Sequence, residues 1–210
     1  LVTYNDLTAI ENILKENKNI TAIMFEPVQG ENGVIIPDEN FCGNLRVLCT
    51  EYNVLMIADE IQTGIYRTGK LLESRVGEKG GINTADIVLL GKSLSGGFYP
   101  VSAVLGNNNV FEHIGPGDHG STYGGNPLAC QSVISALNYV EKHKEIMKFV
   151  EVKNLIFSCY MFHQYKLVKE IRTKGLLIAI ELHRNSPINA YDLSIILLEK
   201  GLLCKPSSSY

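Results

Sequence analysis

The chain has 210 residues, of which 45% are hydrophobic and 20% are charged, and its formal net charge is −3. This composition is ordinary for a globular protein. The chain is long enough for one large core, or for a large domain and a small one. The basic excess that nucleic-acid-binding proteins show is missing, and no apolar run in the sequence reaches membrane-spanning length. We therefore predict neither a nucleic-acid partner nor a membrane partner.

The five cysteines are scattered and mostly lie inside apolar patterns, which is typical of reduced, buried thiols in an intracellular protein. No CxxC motif occurs and the histidines lack metal-ligand spacing, so no metal site is predicted. The chain starts without methionine and ends in Ser-Ser-Ser-Tyr shortly after an apolar segment. We expect it to be a piece of a longer polypeptide.

The first half of the chain alternates between the helical period and short apolar runs. Asn5 or Asp6 is the expected cap of the first helix. The predicted elements are a helix over 7–14, a strand over 20–25, a glycine-rich loop over 29–33, a helix opening at Pro37-Asp38, a strand over 54–58 and a glycine-rich polar excursion over 63–85.

The second half begins with a buried strand and becomes more charged after residue 142. We place a domain boundary there, with a partial large domain over 1–141 and a partial small C-terminal α+β domain over 142–210. The predicted elements are strands over 87–90 and 101–105, a loop over 119–127, a helix from Pro127, a charged helix from about Lys142, a strand over 176–182, a helix over 190–200 and a strand over 202–204. The residues expected to face inward on the helix from Pro127 are Cys130, Val133, Ile134, Leu137 and Val140.

Alternating strands and helices predict a mainly parallel sheet covered on both faces, a three-layer α/β/α arrangement. Such sheets present their chemistry at the carboxyl ends of the strands. Three ionisable residues stand at such ends, namely Glu26, Asp59 and Lys92. A partly desolvated lysine at this edge has a lowered pKa and is a usable nucleophile. Taken alone, a lysine after a strand is more often only solvated, and Asp59 could equally cap the next turn.

A nucleotide hydrolase is one alternative, because an apolar run followed by Asp59-Glu60 resembles a magnesium-binding acidic pair. Such an enzyme also needs a P-loop. The segment Gly64–Leu71 lacks the final hydroxyl and follows no strand, and Gly91-Lys92-Ser93 lacks the leading glycine. A second alternative is a non-catalytic α/β scaffold that binds a partner.

Asp59 and Lys92 together indicate a more specific chemistry. A pyridoxal phosphate site needs a lysine for covalent attachment and a buried carboxylate on the pyridine nitrogen, so that the ring can accept electrons. Its phosphate must also be neutralised. Backbone amides of glycine-rich turns and the hydroxyls of Ser121 and Thr122 could contribute to that.

Four motifs in register resemble the class III aminotransferases, a subgroup of the fold-type-I pyridoxal-phosphate enzymes that act on terminal amines. The similarity runs from Leu1 to about Cys204. The motif sequences most resemble those of the ornithine aminotransferases, with the acetylornithine and 4-aminobutyrate enzymes as alternatives. The motifs are EPVQGENGV (26–34), ADEIQTG (58–64), GKSLSGGFYPVSAVLG (91–106) and HGSTYGGNP (119–127).

The resemblance implies a role for each cofactor-binding residue. Lys92 would carry pyridoxal 5'-phosphate and then move a proton between substrate and cofactor. Asp59 would pair with the pyridine nitrogen, and Gln62 would hydrogen-bond the phenolic oxygen of the ring. Ser121 and Thr122 would reach the phosphate of a neighbouring subunit, which implies a homodimer with shared active sites.

The resemblance also implies substrate-binding roles for Glu31 and Glu26. Glu31 would be a gate that neutralises an arginine while a diamine is bound and releases it for a dicarboxylate. Glu26 would lie near the cofactor, although it could also be a structural carboxylate. The arginine would lie beyond Tyr210, and the phosphate loop and ring-stacking aromatic would lie before Leu1.

The implied reaction is a ping-pong transamination between an amino acid and a 2-oxo acid. L-Ornithine would give its terminal amino group to the cofactor and leave as glutamate 5-semialdehyde, and 2-oxoglutarate would then take the amine and leave as glutamate. The implied compartment is intracellular, either the cytoplasm or the mitochondrial matrix.

Overall fold

The computed structural model describes residues 1–75, 85–143, 145, 149–150 and 165–207. Its main element is a four-stranded sheet in which the strands follow their chain order. Strands β1 to β3 are parallel, and β4 is antiparallel to β3. The predicted mainly parallel α/β fold is thus confirmed. The strands are β1 (Ala22–Phe25), β2 (Leu55–Asp59), β3 (Ile87–Leu90) and β4 (Ala103–Gly106).

The bounds of five helices and of one 3-10 turn, Lys92–Ser95, lie within the described ranges. None of these helices is both long and apolar enough to cross a membrane. The helices are α1 (Leu7–Glu16), α2 (Phe41–Glu51), α3 (Asn108–Phe111), α4 (Pro127–Lys142) and α5 (Ala190–Glu199).

Capping residues fix where the long helices begin. Asp6, not Asn5, caps α1, because its side chain accepts a hydrogen bond from the amide of Ala9. Asn126 caps α4 in the same way through Ala129. Helix α2 begins only at Phe41, later than the predicted opening at Pro37-Asp38.

The core lies between α2 and the sheet. Leu45 and Cys49 on α2 and Met56 on β2 are fully buried. Asp86 ties the helix to the sheet, since its Oδ2 accepts hydrogen bonds from Arg46 Nη1 and from the amide of Met56, both at 2.7 Å. The strands of the sheet are therefore held in place by a buried core on the α2 side.

Helix α4 is less buried than its sequence predicts. Of the residues expected to face inward, Cys130 and Ile134 are exposed, whereas Val133 and Leu137 are half-buried against the core and Val140 is half-buried. Ala129 is the buried residue of the helix. The helix packs against the 3-10 turn, and Ala136 of the helix lies close to Gly96 at the end of that turn. Cys204 is exposed too, so buried thiols were predicted correctly for Cys49 but not for Cys130 or Cys204; Cys159 lies outside the described residues.

The C-terminal part contains an antiparallel hairpin of β5 (Val168–Lys174) and β6 (Leu177–Leu182). Strand β5 was not predicted, because its charged residues hide the apolar alternation of a strand. The strand predicted over 202–204 is wrong: after α5 the amide of Leu202 caps the helix through the carbonyl of Leu197. The helix predicted from Lys142 falls mostly outside the described residues, and the boundary at 142 stays a prediction.

Candidate functional site

The three ionisable residues at the strand ends lie on neighbouring strands. Phe25 is paired with Ala58, so Glu26 and Asp59 follow side by side at the carboxyl edge. Asp59 is in turn paired with Leu89, and Lys92 comes two residues after the end of β3, with Gly91 between them. Adjacent strands are about 4.8 Å apart, so this register brings the three residues to one edge of the sheet.

Lys92 has an unusual backbone. Its φ is +43°, in the left-handed region that costs a non-glycine residue about 1–3 kcal/mol. The turn holds this conformation: Leu94 and Ser95 are buried, and the Ser95 hydroxyl donates to the carbonyl of Tyr99 at 2.5 Å. The Lys92 side chain is exposed beside a groove along α4, so the described residues do not supply the desolvation expected of it.

Asp59 uses one carboxylate oxygen locally. Its Oδ1 accepts a hydrogen bond from the amide of Ile61 at 3.0 Å and so caps the next turn. Among the described residues, its Oδ2 has no hydrogen-bond partner. Asp59 lines a different groove from Lys92, together with Glu26 and Gln29.

Glu60, next to Asp59, is buried and fully engaged inside the protein, with 1% of its surface exposed. Its Oε1 accepts from the amide of Ser74 at 2.6 Å, and its Oε2 accepts from the Thr63 hydroxyl. In a nucleotide hydrolase the aspartate of such a pair holds magnesium and a further residue orients the attacking water, so a glutamate with that role must be free to face the nucleotide. The position of Glu60 therefore argues against the nucleotide hydrolase.

Gln62 and Glu31 join two loops over the edge of the sheet. Gln62 Nε2 donates to Glu31 Oε1 at 3.1 Å. Gln62 Oε1 is buried and has no partner within the described residues. Gly30 makes this packing possible, because a Cβ atom at Gly30 would lie 1.2 Å from that oxygen.

Glu31 also contacts the C-terminal tail, which the sequence did not predict. Lys205 forms an ion pair with Oε2 of Glu31, and the Ser207 hydroxyl donates to the Glu31 carbonyl at 2.8 Å. The hydrogen bond from Lys205, then that from Gln62, lowers the pKa of Glu31, and the positive charge of Lys92 adds to the effect. A single lysine 174 residues away gives no local signal for such a pair.

The pKa of Glu26 depends on its burial and on the neighbouring charges at the edge of the sheet. Burial raises the pKa of Glu26, a hydrogen bond from the Gly30 amide lowers it, the charge of Asp59 raises it and that of Lys92 lowers it. Tyr4, another residue that sequence patterns did not reveal, donates to the carbonyl of Glu26 at 2.7 Å. Glu26 is thus both a structural carboxylate and a member of the charged edge.

Ser121 and Thr122 lie apart from these residues in an exposed loop. The Ser121 hydroxyl accepts from the amide of Gly124 at 2.9 Å. No hydrogen bond or ion pair among the described residues joins this loop to Lys92 or Asp59. The role of Ser121 and Thr122 in a neighbouring subunit stays a prediction.

The donor set of this edge fits pyridoxal phosphate. Lys92 offers a primary amine, Asp59 a carboxylate oxygen without a partner, and Gln62 a side-chain NH2 group, which donates to Glu31 through Nε2 and has a second hydrogen to donate. The cofactor needs an amine for its aldehyde, a carboxylate for its ring nitrogen and a polar group beside its ring oxygen. The residues present therefore suit the ring end of the cofactor.

Comparison with protein families gives a match over nearly the whole chain. The family model for the class III aminotransferases matches residues 2–209. The ornithine aminotransferase of Emericella nidulans is 46% identical over 209 residues, which cover 98% of this chain and 45% of the relative. The mitochondrial ornithine aminotransferase of Rattus norvegicus is 44% identical, with coverage of 98% and 46%.

Solved structures agree with these relatives. An ornithine aminotransferase from Toxoplasma gondii, which has partial occupancy of PLP at its active site, superposes with a TM-score of 0.90 at 40% identity and covers 99% of this chain and 49% of its own. The acetylornithine aminotransferase of Elizabethkingia anophelis gives 0.87 at 45% identity, with coverage of 98% and 51%. The chain spans about half the length of the relatives it matches.

Proposed function

The chain belongs to the class III aminotransferases, and from that membership we propose that the full-length gene product is a pyridoxal-phosphate-dependent transaminase of fold type I. The observation that carries the proposal is the register of β2 and β3. It sets Asp59 and Lys92 on neighbouring strand ends, and both charges act on Glu26, which follows β1.

Each residue of the edge has a proposed task. Pyridoxal phosphate, when bound, supplies an electron sink for the substrate carbon that loses its proton. Lys92 would hold the cofactor through its amine until the amine of the substrate displaces it, and its freed Nζ would then move the proton at that carbon. Asp59 keeps the ring nitrogen protonated through Oδ2, and the amide of Gln62 orients the ring oxygen.

We propose L-ornithine as the amino donor and 2-oxoglutarate as the acceptor, with glutamate 5-semialdehyde and glutamate as products. The names of the E. nidulans, R. norvegicus and T. gondii relatives support ornithine. Acetylornithine is the alternative, because the E. anophelis enzyme reaches the same level of identity; 4-aminobutyrate remains a third donor to test.

Glu31 is the proposed gate between the two substrates. Its carboxylate is mostly solvent-exposed, and it is already paired with a cation, Lys205. A carboxylate in this setting can exchange one cationic partner for another at little cost, because exposed ion pairs contribute only about 0–1 kcal/mol. Glu31 therefore suits a residue whose partner changes between half-reactions.

We further propose a homodimer in which Ser121 and Thr122 serve the phosphate of the other subunit. Tyr123, next to Thr122, and Phe98, which lines the groove beside Lys92, have 81% and 77% of their surfaces exposed, which gives a second subunit apolar area to cover. The division into units over 1–141 and 142–210 belongs to the same proposal. The mitochondrial relatives favour the mitochondrial matrix, with the cytoplasm as alternative.

A borohydride experiment on the full-length gene product tests the proposal. The protein should be yellow, and reduction followed by peptide mapping should place the cofactor on Lys92. Half-reaction assays with ornithine, acetylornithine and 4-aminobutyrate should then show the fastest cofactor conversion with ornithine. A colourless protein, or label on another lysine, would overturn the assignment.

A further inference from the structure

The β5–β6 hairpin contacts both loops that meet over the charged edge. Arg172 on β5 donates from Nε to the carbonyl of Gly33 at 2.8 Å, in the loop that carries Glu31. Leu176 donates from its amide to the carbonyl of Arg67 at 2.8 Å, in the segment that follows Gln62. The hairpin therefore holds the loops whose side chains, Glu31 and Gln62, are bonded to each other.

The guanidinium of Arg172 is itself fixed. Its side chain is 18% exposed, and Nη1 forms ion pairs with Glu170 at 2.5 Å and with Glu181 at 2.6 Å. A guanidinium is a rigid planar fork, so fixing one of its edges with carboxylates also fixes the direction of Nε. That direction is toward the carbonyl of Gly33.

Gly33 is shaped to receive this contact. Its φ is +96°, and a Cβ atom there would lie 3.0 Å from Nη2 of Arg172. The base of the same loop is closed by two hydrogen bonds between Gln29 and Ile35, at 3.1 and 2.9 Å. Glu31 thus stands on a short loop held at its base by backbone pairing and on one side by Arg172.

The turn of the hairpin sits equally close to the second loop. Gly175 has φ +60°, and a Cβ atom there would lie 2.4 Å from the Cα of Thr68. Lys174 adds an ion pair with Glu73 at 3.1 Å. The turn of the hairpin is thus bonded to the loop that follows Gln62. Arg172, on the same hairpin, therefore fixes the position of the Glu31 loop relative to the Gln62 loop.

We infer that Arg172 is a positioning residue for Glu31, which it holds in place through the carbonyl of Gly33. The inference rests on the proposed gate role of Glu31. Without Arg172, the Gly33 side of the loop loses its long-range contact, and the carboxylate of Glu31 no longer stands at one defined place for its cationic partners. Such a loss affects discrimination between the two half-reactions more than the chemical step they share.

The test uses Arg172→Lys and Arg172→Met in the full-length gene product, with Lys169→Met as control. Lys169 lies on the same strand and also pairs with Glu181, but in the described part of the chain no hydrogen bond joins it to Gly33. Arg172→Lys keeps a cation for Glu170 and Glu181 and loses the fork, so it remains informative if Arg172→Met folds poorly. Both readouts, single-turnover rates of each half-reaction and amide exchange of residues 29–35, are measured on every variant.

Both Arg172 variants should shift the ratio of the two half-reaction rates by roughly 3- to 30-fold, in the direction that Glu31→Gln shifts it. They should also speed amide exchange in residues 29–35 while α1 stays unchanged, because local opening follows lost contacts. Lys169→Met should alter neither. Unchanged exchange in the Arg172 variants, or an equal fall in both half-reactions, overturns the positioning role. An unchanged ratio in Glu31→Gln overturns the gate instead.

Discussion

Gln62 donates a hydrogen bond from Nε2 to Glu31 Oε1 at 3.1 Å and so connects two loops that leave neighbouring parallel strands. One of these loops carries the proposed gate and the other a proposed cofactor contact. A change in the partner of Glu31 should therefore alter the position of Gln62, the proposed cofactor contact.

Replacing Glu31 by Gln should separate the two half-reactions. The variant keeps a side-chain oxygen that can accept the hydrogen bond from Gln62 Nε2 but loses the charge that pairs with Lys205. One single-turnover rate should therefore change relative to the other by about tenfold, the effect of about 1.4 kcal/mol. Stability should change by less than about 1 kcal/mol, because the ion pair is exposed. Equal changes in both rates would contradict the gate.

Lys92→Ala should remove turnover, with a loss of at least about 10²–10⁴-fold, the contribution of a positioned proton-transfer group alone. Steady-state transamination and borohydride labelling measure the loss. Lys70→Ala is the matched control, because Lys70 is an exposed lysine paired with Glu73 in a neighbouring loop. Retained labelling in the Lys92 variant would show that another lysine holds the cofactor.

Asp59→Asn should slow turnover by roughly 10²–10³-fold, the cost of losing one preorganised electrostatic contact. The fold should persist, because the asparagine oxygen can still accept the hydrogen bond from the Ile61 amide. Turnover and thermal unfolding, measured together, distinguish lost chemistry from lost structure. Near-normal activity would remove Asp59 from the site.

Glu60→Ala should destabilise the protein by about 1–3 kcal/mol, because it leaves the buried amide of Ser74 without its acceptor. The free energy of unfolding in urea measures the effect. Glu51→Ala, at an exposed position on α2, should stay within about 0.5 kcal/mol of the parent protein. If both variants unfold alike, the buried hydrogen bonds of Glu60 do not stabilise the loop.

Glu26→Gln should reveal a pH-dependent cost. Burial raises the pKa of Glu26 above its usual value of 4.5, so the folded protein binds this proton more tightly than the unfolded chain does. The stability contributed by Glu26 is present below pH 4.5 and is lost as pH rises through the folded pKa. Denaturant midpoints should therefore favour Glu26→Gln over the parent more at pH 7 than at pH 4, and a pH-independent difference would contradict the raised pKa.

Local patterns in the sequence were sufficient for the sheet and for the positions of Glu26, Asp59 and Lys92 at the ends of its strands. A buried strand of a parallel sheet is a short apolar run, and the residue that stops the run marks the edge where neighbouring strands end. The cap of α1 and the start of α4 at Pro127 were predicted from the same kind of short-range evidence. The four motifs then indicated the family.

Contacts between distant parts of the chain were decided only by the tertiary structure. Arg172 meets Gly33 across 139 residues, and Lys205 meets Glu31 across 174, so no spacing announces either pair. The hairpin shows the same limit. Strand β5 forms because it pairs with β6, although its charged residues hide the apolar alternation of a strand. The apolar residues 202–204 form no strand. Hydrophobic periodicity reports which side of an element is buried, but the partner of an exposed charge depends on how the chain folds back on itself.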